Sequence, residues 1–368
     1  MRVAFDAHVI GERESGNETY AVNLLRALAN APNGDTYQVL TPHPDRLRAI
    51  LPLPRSAEIV RVRPATSVLR IPFGMPGAVR RHHSEVLHVS YVAPPVVACP
   101  TVVTVHDLSY LAYPRSLSPW ARFMLTALVP LSTRRAARVI AVSAFTRQDL
   151  VTRYGLRAEK ISVIHEAAGP AFRVVDDARR QRLPARVTEP FVLAFGNLEP
   201  RKNLARLIEA FATIAREPAM TAKLVLVGNA KGEAGALERL VEQHGLRERV
   251  VFTGFVTEDR LVLLYNRAAV FVYPSIYEGF GLPPLEAMAC GCPVVASSVT
   301  AMPEVLGDAA LLVDPTSTLA LAEAMRAVLA SDVLASDLRA KGRQRADRYS
   351  WTMAAEQTRA VYRSAVTG

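Results

Sequence analysis

The 368-residue sequence is poor in cysteine and has no long run of apolar residues. Its three cysteines, Cys99, Cys290 and Cys292, are too few for a disulfide framework, and the close spacing of the last two does not match a zinc site. The longest strongly apolar window, 123–131, is far shorter than the ~20 residues that span a bilayer. The first residues also lack the apolar core and cleavage site of a signal peptide. These absences predict a cytoplasmic protein.

Several motifs with known chemistry are missing as well. There is no D-x-D, which one large class of metal-dependent enzymes uses, no G-x-x-x-x-G-K-[ST] phosphate loop and no His/Cys cluster. No strand leads into G-x-G-x-x-G with an acidic residue ~20 positions later, which argues against a Rossmann dehydrogenase. Disorder and collagen are excluded because the 19 glycines and 25 prolines follow no period in a chain that is 50% apolar. The sequence therefore predicts a globular protein without a bound metal.

The charge is basic and unevenly distributed. Forty-four Lys and Arg against 34 Asp and Glu give a net charge of +10, and residues 1–170, with 20 basic and 12 acidic side chains, carry +8 of it. Two arginine clusters lie in this half: Arg61, Arg63, Arg70, Arg80 and Arg81, and then Arg134, Arg135 and Arg138. Such clusters suit nucleic acid, an anionic membrane or an anionic substrate, but no nucleic-acid-binding signature accompanies them, so we expect no nucleic acid partner. The alternative is that the clusters form a solvated surface that binds no ligand.

Short apolar runs alternate with helix-length segments along the whole chain. One series of candidate strands spans 2–9, 38–40, 58–62, 86–89, 101–106, 139–142 and 161–164, and a second spans 191–196, 223–228, 250–253, 270–274, 293–296 and 310–313. Continuous Val/Ile/Leu runs that alternate with helices predict parallel, doubly wound α/β sheets. We therefore predict two Rossmann-like domains, 1–175 and 191–350, a linker at 176–190, and a C-terminal helix at 351–368 that packs back on the first domain.

The chemically informative residues follow the candidate strands, where ligands of open α/β sheets bind. Glu278 and Glu286 are eight positions apart, with glycines between them and a helix that is predicted to begin near Pro283 or Pro284. Glycines let the backbone approach a ligand closely, and a helix N-terminus suits a phosphate. Glu286, expected in the first helical turn, would then lie near hydroxyl groups beside that phosphate. A capping turn without a ligand is the structural alternative.

The segment 273–297, YPSIYEGFGLPPLEAMACGCPVVAS, closely resembles the E-x7-E region of retaining glycosyltransferase family 4, whose members have the GT-B fold. The resemblance extends to VHDLSY at 105–110, VIAVSAFT at 139–146, GNLEPRKN at 196–203 and PEVLGDAALLVDP at 303–315. It implies an α/β fold of two Rossmann-like, doubly wound parallel-sheet domains that face each other across a cleft. The first would bind the acceptor and the second a nucleotide-sugar donor.

The resemblance also implies roles for residues of the second domain. Glu278 would contact the transferred sugar and Glu286 the ribose. The backbone at Gly279, Phe280, Gly281 and Leu282 would contact the sugar and the diphosphate. Base recognition is expected near Gly228, Asn229, Thr253, Gly254 and Phe255.

Two cations provide the second part of the expected donor site. Lys202 occupies the place of the family's diphosphate-binding lysine, and positive charge there would stabilise the leaving group. The family's arginine often lies about five residues earlier, where this chain has Asn197, and Arg201 is expected to substitute for it. A solvated pair is the alternative, but cations are unfavourable at a helix start unless an anion binds there.

His106 and three residues near it complete the candidate catalytic and acceptor-side set. The resemblance places His106 against the donor sugar where the acceptor arrives, and Asp107 would orient His106 or the acceptor. Gly16, with Asn17 and Glu18, matches a glycine-containing first loop near the diphosphate and acceptor. We expect Glu18 to turn toward the acceptor or cap the helix at 19–30, since a carboxylate beside a diphosphate is unfavourable.

The sequence thus predicts a retaining hexosyltransferase that uses a nucleotide-diphosphate sugar without a metal. The EPRKN pattern favours GDP-mannose, with a UDP- or dTDP-hexose as the alternative donor and a glycan, lipid-linked or small-molecule acceptor. A nucleotide-sugar epimerase and a basic surface-binding protein are the other classes considered. Segment 114–138, with Trp120, Phe123 and Leu128 followed by arginines, suits either a helix on an anionic membrane or an ordinary core helix.

Overall fold

The computed structural model describes residues 1–12, 15–32, 34–114, 118–196, 199–228 and 234–368. It divides into two compact units: Met1–Glu166 together with Ser350–Gly368, and Ala167–Tyr349. Residues 167–175 and the segment 176–190 therefore lie in the second unit, and the C-terminal helix lies in the first. None of the helices in these described ranges is both long enough and apolar enough to cross a membrane.

The described ranges contain thirteen strands, as the sequence predicts. They are β1 (Arg2–Asp6), β2 (Thr36–Thr41), β3 (Ala57–Arg61), β4 (Val86–Ser90), β5 (Thr101–Val105), β6 (Arg138–Ala141), β7 (Ile161–Val163), β8 (Phe191–Phe195), β9 (Lys223–Val227), β10 (Val250–Gly254), β11 (Val270–Tyr273), β12 (Val294–Ser297) and β13 (Leu311–Val313).

The α-helices of these ranges fill the connections between strands. They are α1 (Ser15–Asn30), α2 (Pro44–Ile50), α3 (Ser67–Leu69), α4 (Met75–Arg81), α5 (Ser109–Ala112), α6 (Pro119–Arg135), α7 (Ala144–Tyr154), α8 (Leu204–Ile214), α9 (Ala234–Gln243), α10 (Glu258–Arg267), α11 (Leu282–Ala289), α12 (Met302–Leu306), α13 (Thr318–Ala330), α14 (Asp332–Ala346) and α15 (Trp351–Thr367). A π-helical turn, Arg70–Gly74, joins α3 to α4, and a 3-10 turn, Pro200–Lys202, precedes α8.

Each unit is built on one parallel sheet. The first has the strand order β3-β2-β1-β4-β5-β6-β7 and the second β10-β9-β8-β11-β12-β13. In both sheets the order reverses beside the first strand, between β1 and β4 and between β8 and β11. This is the doubly wound arrangement, and its topological switch point is where ligands bind in such folds.

Buried aliphatic side chains on the strands and inner helix faces hold each sheet in place. In the second unit, β8, β9 and β11 pack against α8, whose Leu207, Ile208 and Phe211 are fully buried. These residues recur at helical spacing, so one stripe of α8 covers the sheet. Strands β8, β9 and β11 are buried on both faces, which explains why their sequences are continuous apolar runs.

The C-terminal helix α15 is anchored to the first unit by a buried hydrogen bond as well as by packing. It lies against α1 and contacts β4, β5 and β6. Its Tyr362 hydroxyl is 2.6 Å from Nδ1 of His88, whose Nε2 is 2.7 Å from the Thr104 hydroxyl. Burial, and then the proximity of His106, lower the pKa of His88 to about 3, so this imidazole bridges the two hydroxyls in its neutral form.

Candidate active site

The two strands at the switch point of the second sheet bring Lys202 and Glu278 together. Strand β8 leads through Gly196 to the turn that contains Arg201 and Lys202, and the neighbouring β11 leads to Glu278. Gly196 has a φ of +155°, and a Cβ there would lie 3.3 Å from Cγ of Lys202. The glycine therefore leaves room for the lysine side chain to lie along the end of β8.

Glu278 is the centre of this cluster. Its Oε1 accepts hydrogen bonds from Lys202 Nζ at 2.5 Å, Arg201 Nη1 at 2.9 Å, the Tyr273 hydroxyl at 2.9 Å and the Ser275 hydroxyl at 2.6 Å. Lys202 Nζ also donates to Tyr273 Oη at 2.6 Å. These contacts converge on one carboxylate oxygen of a side chain that is almost completely buried.

The charges of the cluster hold Glu278 in its ionised form. Burial by itself raises the pKa of a carboxyl group, but the attraction of Lys202 and Arg201 outweighs it and lowers the pKa of Glu278 from 4.5 to about 2. The pKa of the Lys202 amine is lowered by burial and by Arg201, an effect that Glu278 opposes. The site thus brings two cations to Glu278, and Arg201 Nε also donates to a second carboxylate, Glu199 Oε2, at 3.0 Å. Two adjacent cations at the end of a parallel sheet suit an anionic ligand.

Further residues, which the sequence did not single out, hold the two loops against each other. The Asn203 side-chain amide donates to the carbonyl groups of Pro274, at 3.1 Å, and Pro315, at 2.7 Å. Ile276 N donates to the Arg201 carbonyl oxygen at 2.8 Å. Asn203 has a φ of +59°, a conformation that asparagine tolerates better than most residues. Tyr273, Ser275 and Asn203 are thus positioning residues for the Lys202–Glu278 cluster.

A glycine-rich turn precedes α11, as predicted, but the helix begins at a different residue from the one expected. The helix begins at Leu282, earlier than the expected Pro283 or Pro284, because Gly281 occupies the N-cap with a φ of +105°. Glu286 is therefore the fifth residue of α11 rather than a first-turn residue, and this expectation was wrong. A Cβ at Gly281 would lie 2.3 Å from Cε of Met302, so the turn also needs glycine for space.

The other residues of the turn are buried around the start of α11. Phe280 is buried with its ring edge-on to Tyr349, 5.8 Å between centroids, and Leu282 and Glu286 are also buried. The charge of Glu286 acts on Cys290, whose pKa is raised to about 12 mainly by burial. Glu286 therefore lies on the inner side of α11.

The expected base-recognition residues lie at the ends of β9 and β10. Gly228 N donates to the Gly254 carbonyl oxygen at 3.1 Å, which places the two strand ends side by side. Phe255 follows β10 and is 65% exposed, an uncommon state for a phenylalanine and one that leaves its ring available for stacking. Asn197 and Asn229 lie outside the described residues.

In the first unit, His106 is oriented by Glu166, a residue that the sequence did not indicate. His106 Nδ1 lies 3.0 Å from Glu166 Oε1, and both residues are buried. The Tyr20 ring packs edge-on against the imidazole at 4.6 Å. Within the described residues, the buried His106 Nε2 has no hydrogen-bond partner. A carboxylate on Nδ1 places the proton there, which leaves the buried Nε2 as a hydrogen-bond acceptor.

The remaining acceptor-side residues make local contacts. Asp107 Oδ1 accepts from the N–H of Ser109, the first residue of α5, at 2.9 Å, while Glu166 is the carboxylate at the imidazole. Glu18 Oε1 accepts from Gly11 N at 2.8 Å. Helix α1 begins at Ser15, earlier than the expected residue 19, so Gly16, Asn17 and Glu18 form its first turn rather than a loop. Apart from the neighbouring residues and the backbone of α1 itself, no described atom lies within 4 Å of the position that a Gly16 Cβ would take.

The chain matches two family models that together cover most of its length. Residues 15–168 match the model described as Glycosyltransferase Family 4, and residues 175–345 match the model described as Glycosyl transferases group 1. Each model falls largely within one of the two structural units.

Curated relatives include several bacterial mannosyltransferases. The O-antigen chain mannosyltransferase B of Escherichia coli is 34% identical over 269 residues, which cover 71% of this chain and 70% of the relative. The serotype-specific mannosyltransferase WbdA of Escherichia coli is 32% identical over 264 residues, 68% of this chain. The match covers only 32% of WbdA, so the chain spans about a third of that relative's length.

Solved structures with the same fold match almost the whole chain. Sucrose-phosphate synthase from Thermosynechococcus elongatus superposes with a TM-score of 0.80 at 26% identity and covers 99% of this chain and 98% of its own. Anabaena HepE, in complex with UDP-glucose, superposes with a TM-score of 0.76 at 21% identity. The match covers 99% of this chain and 100% of the HepE chain. The two parallel-sheet units and these neighbours confirm the GT-B fold expected from the sequence. The chain therefore belongs to the glycosyltransferases of group 1, in family 4.

Proposed function

We propose that the protein transfers a hexosyl group, with retention of the anomeric configuration, from a nucleotide-diphosphate sugar to a glycan, lipid-linked or small-molecule acceptor. The observation that carries the proposal is the cluster of Lys202, Arg201 and Glu278 at the switch point of the second sheet. It combines two cations with an ionised carboxylate where an α/β sheet binds its ligand. A diphosphate needs the cations, and a sugar hydroxyl needs the carboxylate.

The donor is held by the second unit in this proposal. Lys202 and Arg201 stabilise the charge that develops on the diphosphate oxygens as the glycosidic bond breaks. The backbone N–H groups of Gly281 and Leu282 at the start of α11 add favourable partial charge, whereas Pro283 and Pro284 have no N–H to contribute. Glu278 binds a hydroxyl of the transferred sugar, Glu286 binds the ribose, and the exposed ring of Phe255 stacks on the base.

The hydrogen bonds to Glu278 argue against a covalent glycosyl-enzyme intermediate, and the retaining course is part of the proposal. A glycosyl-enzyme needs a carboxylate directly below the anomeric carbon. Glu278 is instead held by Lys202, Arg201, Tyr273 and Ser275, which suits a binding role better than nucleophilic attack. We propose that the acceptor attacks from the face that the diphosphate leaves, and that the leaving phosphate takes the acceptor proton.

In the first unit, His106 is the proposed catalytic residue and Glu166 its positioning residue. With its proton held on Nδ1 by Glu166, His106 presents Nε2 as a hydrogen-bond acceptor for a sugar hydroxyl. Gly16, Asn17, Glu18 and Asp107 remain acceptor-side proposals. The open space at Gly16 is compatible with a ligand close to the start of α1.

GDP-mannose is the proposed donor, and the curated relatives support it. The O-antigen chain mannosyltransferase B and WbdA are both mannosyltransferases. A UDP- or dTDP-hexose is the alternative, since the structural neighbour HepE was solved with UDP-glucose.

A thermal-shift panel of nucleotides tests the donor class. A nucleotide at ~100 times its Kd stabilises the folded protein by about 2.7 kcal/mol, which raises the Tm of a unit of this size by about 5–10 °C. We expect GDP to give such a shift and UDP and dTDP to give much less. Guanosine, which lacks the diphosphate, is the control and should have little effect. A response to UDP alone would change the proposed donor, and no response to any nucleoside diphosphate would refute a donor site.

Turnover is expected to need no divalent metal, because Lys202 and Arg201 supply the positive charge at the leaving group. Transfer from GDP-mannose should therefore proceed at the same rate with and without EDTA. The rate is measured as GDP release with a metal-free detection method. Loss of activity in EDTA that Mg²⁺ or Mn²⁺ restores would contradict this expectation.

A further inference from the structure

Helix α6 carries aromatic side chains that the first unit leaves in solvent. Trp120 is 60% and Phe123 is 63% exposed, and their rings lie 6.0 Å apart. These two side chains are therefore not core contacts, and the alternative of an ordinary core helix is wrong for them. The helix is anchored from its other side, where Val129, Ser132 and Thr133 are buried. It therefore presents an apolar face that the described part of the first unit does not cover.

An apolar groove continues this face. It has a volume of about 220 Å³ and lies between α6, which contributes Met124, Leu128 and Leu131, and the segment around α3, which contributes Val68 and Ile71. An apolar cavity of about 150 Å³ is large enough to bind benzene, so this groove has room for a stretch of hydrocarbon chain.

The exposed aromatic residues and the groove belong to one surface. Trp120, Met124, Leu128 and Leu131 follow each other at intervals of four, four and three residues, which puts them on the same side of a helix. Trp120 thus extends the groove toward the start of α6. We call the surface formed by Trp120, Phe123 and the groove the α6 face. Contiguous exposed apolar surface of this kind marks an interaction site, whereas isolated residues do not.

The two sequence segments that form most of the α6 face carry only positive charge. Segments 61–84 and 108–148, which contain α3 and α6, hold five and six arginines and neither Asp nor Glu. Arg134 and Arg135 at the end of α6 are exposed, and Arg135 also lines the groove. An apolar face with arginines beside it matches the boundary between the acyl chains and the anionic head groups of a bilayer.

We propose that the α6 face docks on an anionic lipid bilayer, with Trp120 and Phe123 at the interface, a lipid acyl chain in the groove and the arginines against the head groups. Tryptophan favours this interface because its ring is apolar and its N–H is polar. A second copy of the chain fits less well, because a two-fold contact would bring the arginines of α6 against their own copies.

Vesicle co-sedimentation tests the proposal and does not depend on the proposed reaction, since no turnover is measured. Vesicles of phosphatidylcholine and phosphatidylglycerol in equal parts should retain the protein, and vesicles of phosphatidylcholine alone should retain much less. Retention should fall with salt, which screens the arginines. The double variant Trp120→Ser/Phe123→Ser should bind the anionic vesicles roughly tenfold more weakly because two apolar side chains no longer enter the interface. Both residues are exposed, so the variant is expected to fold.

Leu319→Ser is the matched control, because Leu319 is 66% exposed but lies on α13 of the second unit. It should bind vesicles like the wild type. Fluorescence gives a second measurement, since Trp120 and the buried Trp351 are the only tryptophans of the sequence. Anionic vesicles should shift the wild-type emission to shorter wavelength and leave that of Trp120→Phe unchanged.

Equal retention by the two vesicle types at low salt would overturn the proposal, as would an equal loss of binding in Leu319→Ser. An unshifted emission of vesicle-bound wild-type protein would also overturn it, because Trp120 would then stay in water. A dimer in sedimentation velocity that the double variant converts to a monomer, with no preference for anionic vesicles, would assign the α6 face to a second copy instead.

Discussion

Replacing Lys202 with alanine is expected to lower kcat/KM for the donor roughly 10- to 100-fold. This corresponds to the ~1.5–3 kcal/mol that a hydrogen bond to a charged group contributes. The amine is buried at the end of β8, within 2.5 Å of Glu278 Oε1, and Arg201 is the other cation of the cluster. Because Arg201 remains in the variant, we expect a large reduction rather than complete loss.

The experiment combines steady-state kinetics with GDP binding measured by calorimetry. Lys341→Ala is the control, since Lys341 is exposed, pairs with Asp337 at 2.9 Å in the same unit and lies far along the chain from the cluster. It should behave like the wild type. Breaking a buried ion pair also costs ~3–5 kcal/mol of stability, so both variants are assayed well below their Tm. Normal kinetics and GDP affinity in folded Lys202→Ala would remove this residue from the donor site.

The architecture could be predicted from the sequence because parallel strands that are buried on both faces have a strong local pattern. Runs such as Phe191–Phe195 and Lys223–Val227 are continuous and apolar, and all thirteen predicted strands are found. The ends were less predictable. Strand β1 stops at Asp6 rather than at residue 9, because the chain turns there and Ile10 N donates to the Ala7 carbonyl oxygen.

The proximity of Lys202 and Glu278 could also be expected, since both follow strands that end at the same sheet edge. The hydrogen-bond partners of the site residues could not be predicted in this way. Glu166 contacts His106 from 60 positions away, and a hydrogen bond over that separation leaves no periodic signal. The one available hint was that Glu166 follows β7, at the same edge as His106. The start of α11 differs from the predicted position for a local reason. Gly281 occupies its N-cap, so Pro283 and Pro284 lie inside the first helical turn.

Exposure of α6 was undecidable from the sequence because its apolar residues surround the helix. Val129 is completely buried, while Trp120 and Phe123 are mostly exposed, although all three are strongly apolar. The sequence pattern of α6 shows only that the helix is rich in apolar residues. Which of them face the core depends on the neighbours, here the β-sheet and the segment around α3.

Glu278→Gln and Glu286→Gln are expected to have opposite effects on turnover and on nucleotide binding. Glu278→Gln should lower kcat roughly 10- to 100-fold, the loss of a charged hydrogen bond to the sugar. Its GDP affinity should be unchanged or higher. The Glu278 carboxylate is bonded to Lys202 and Arg201, so removing its charge takes away one group that competes with the diphosphate for these cations.

Glu286→Gln should instead weaken GDP binding roughly tenfold, because the ribose hydroxyls lose a charged acceptor, and should change kcat at saturating donor much less. Both substitutions keep the side-chain shape, and both are measured by GDP calorimetry and by initial rates with GDP-mannose. If Glu278→Gln lost nucleotide affinity while Glu286→Gln lost only turnover, the sugar and the ribose would have to exchange places between the segment before α11 and the helix itself. The start of that helix at Leu282 would then have to bind a different part of the donor.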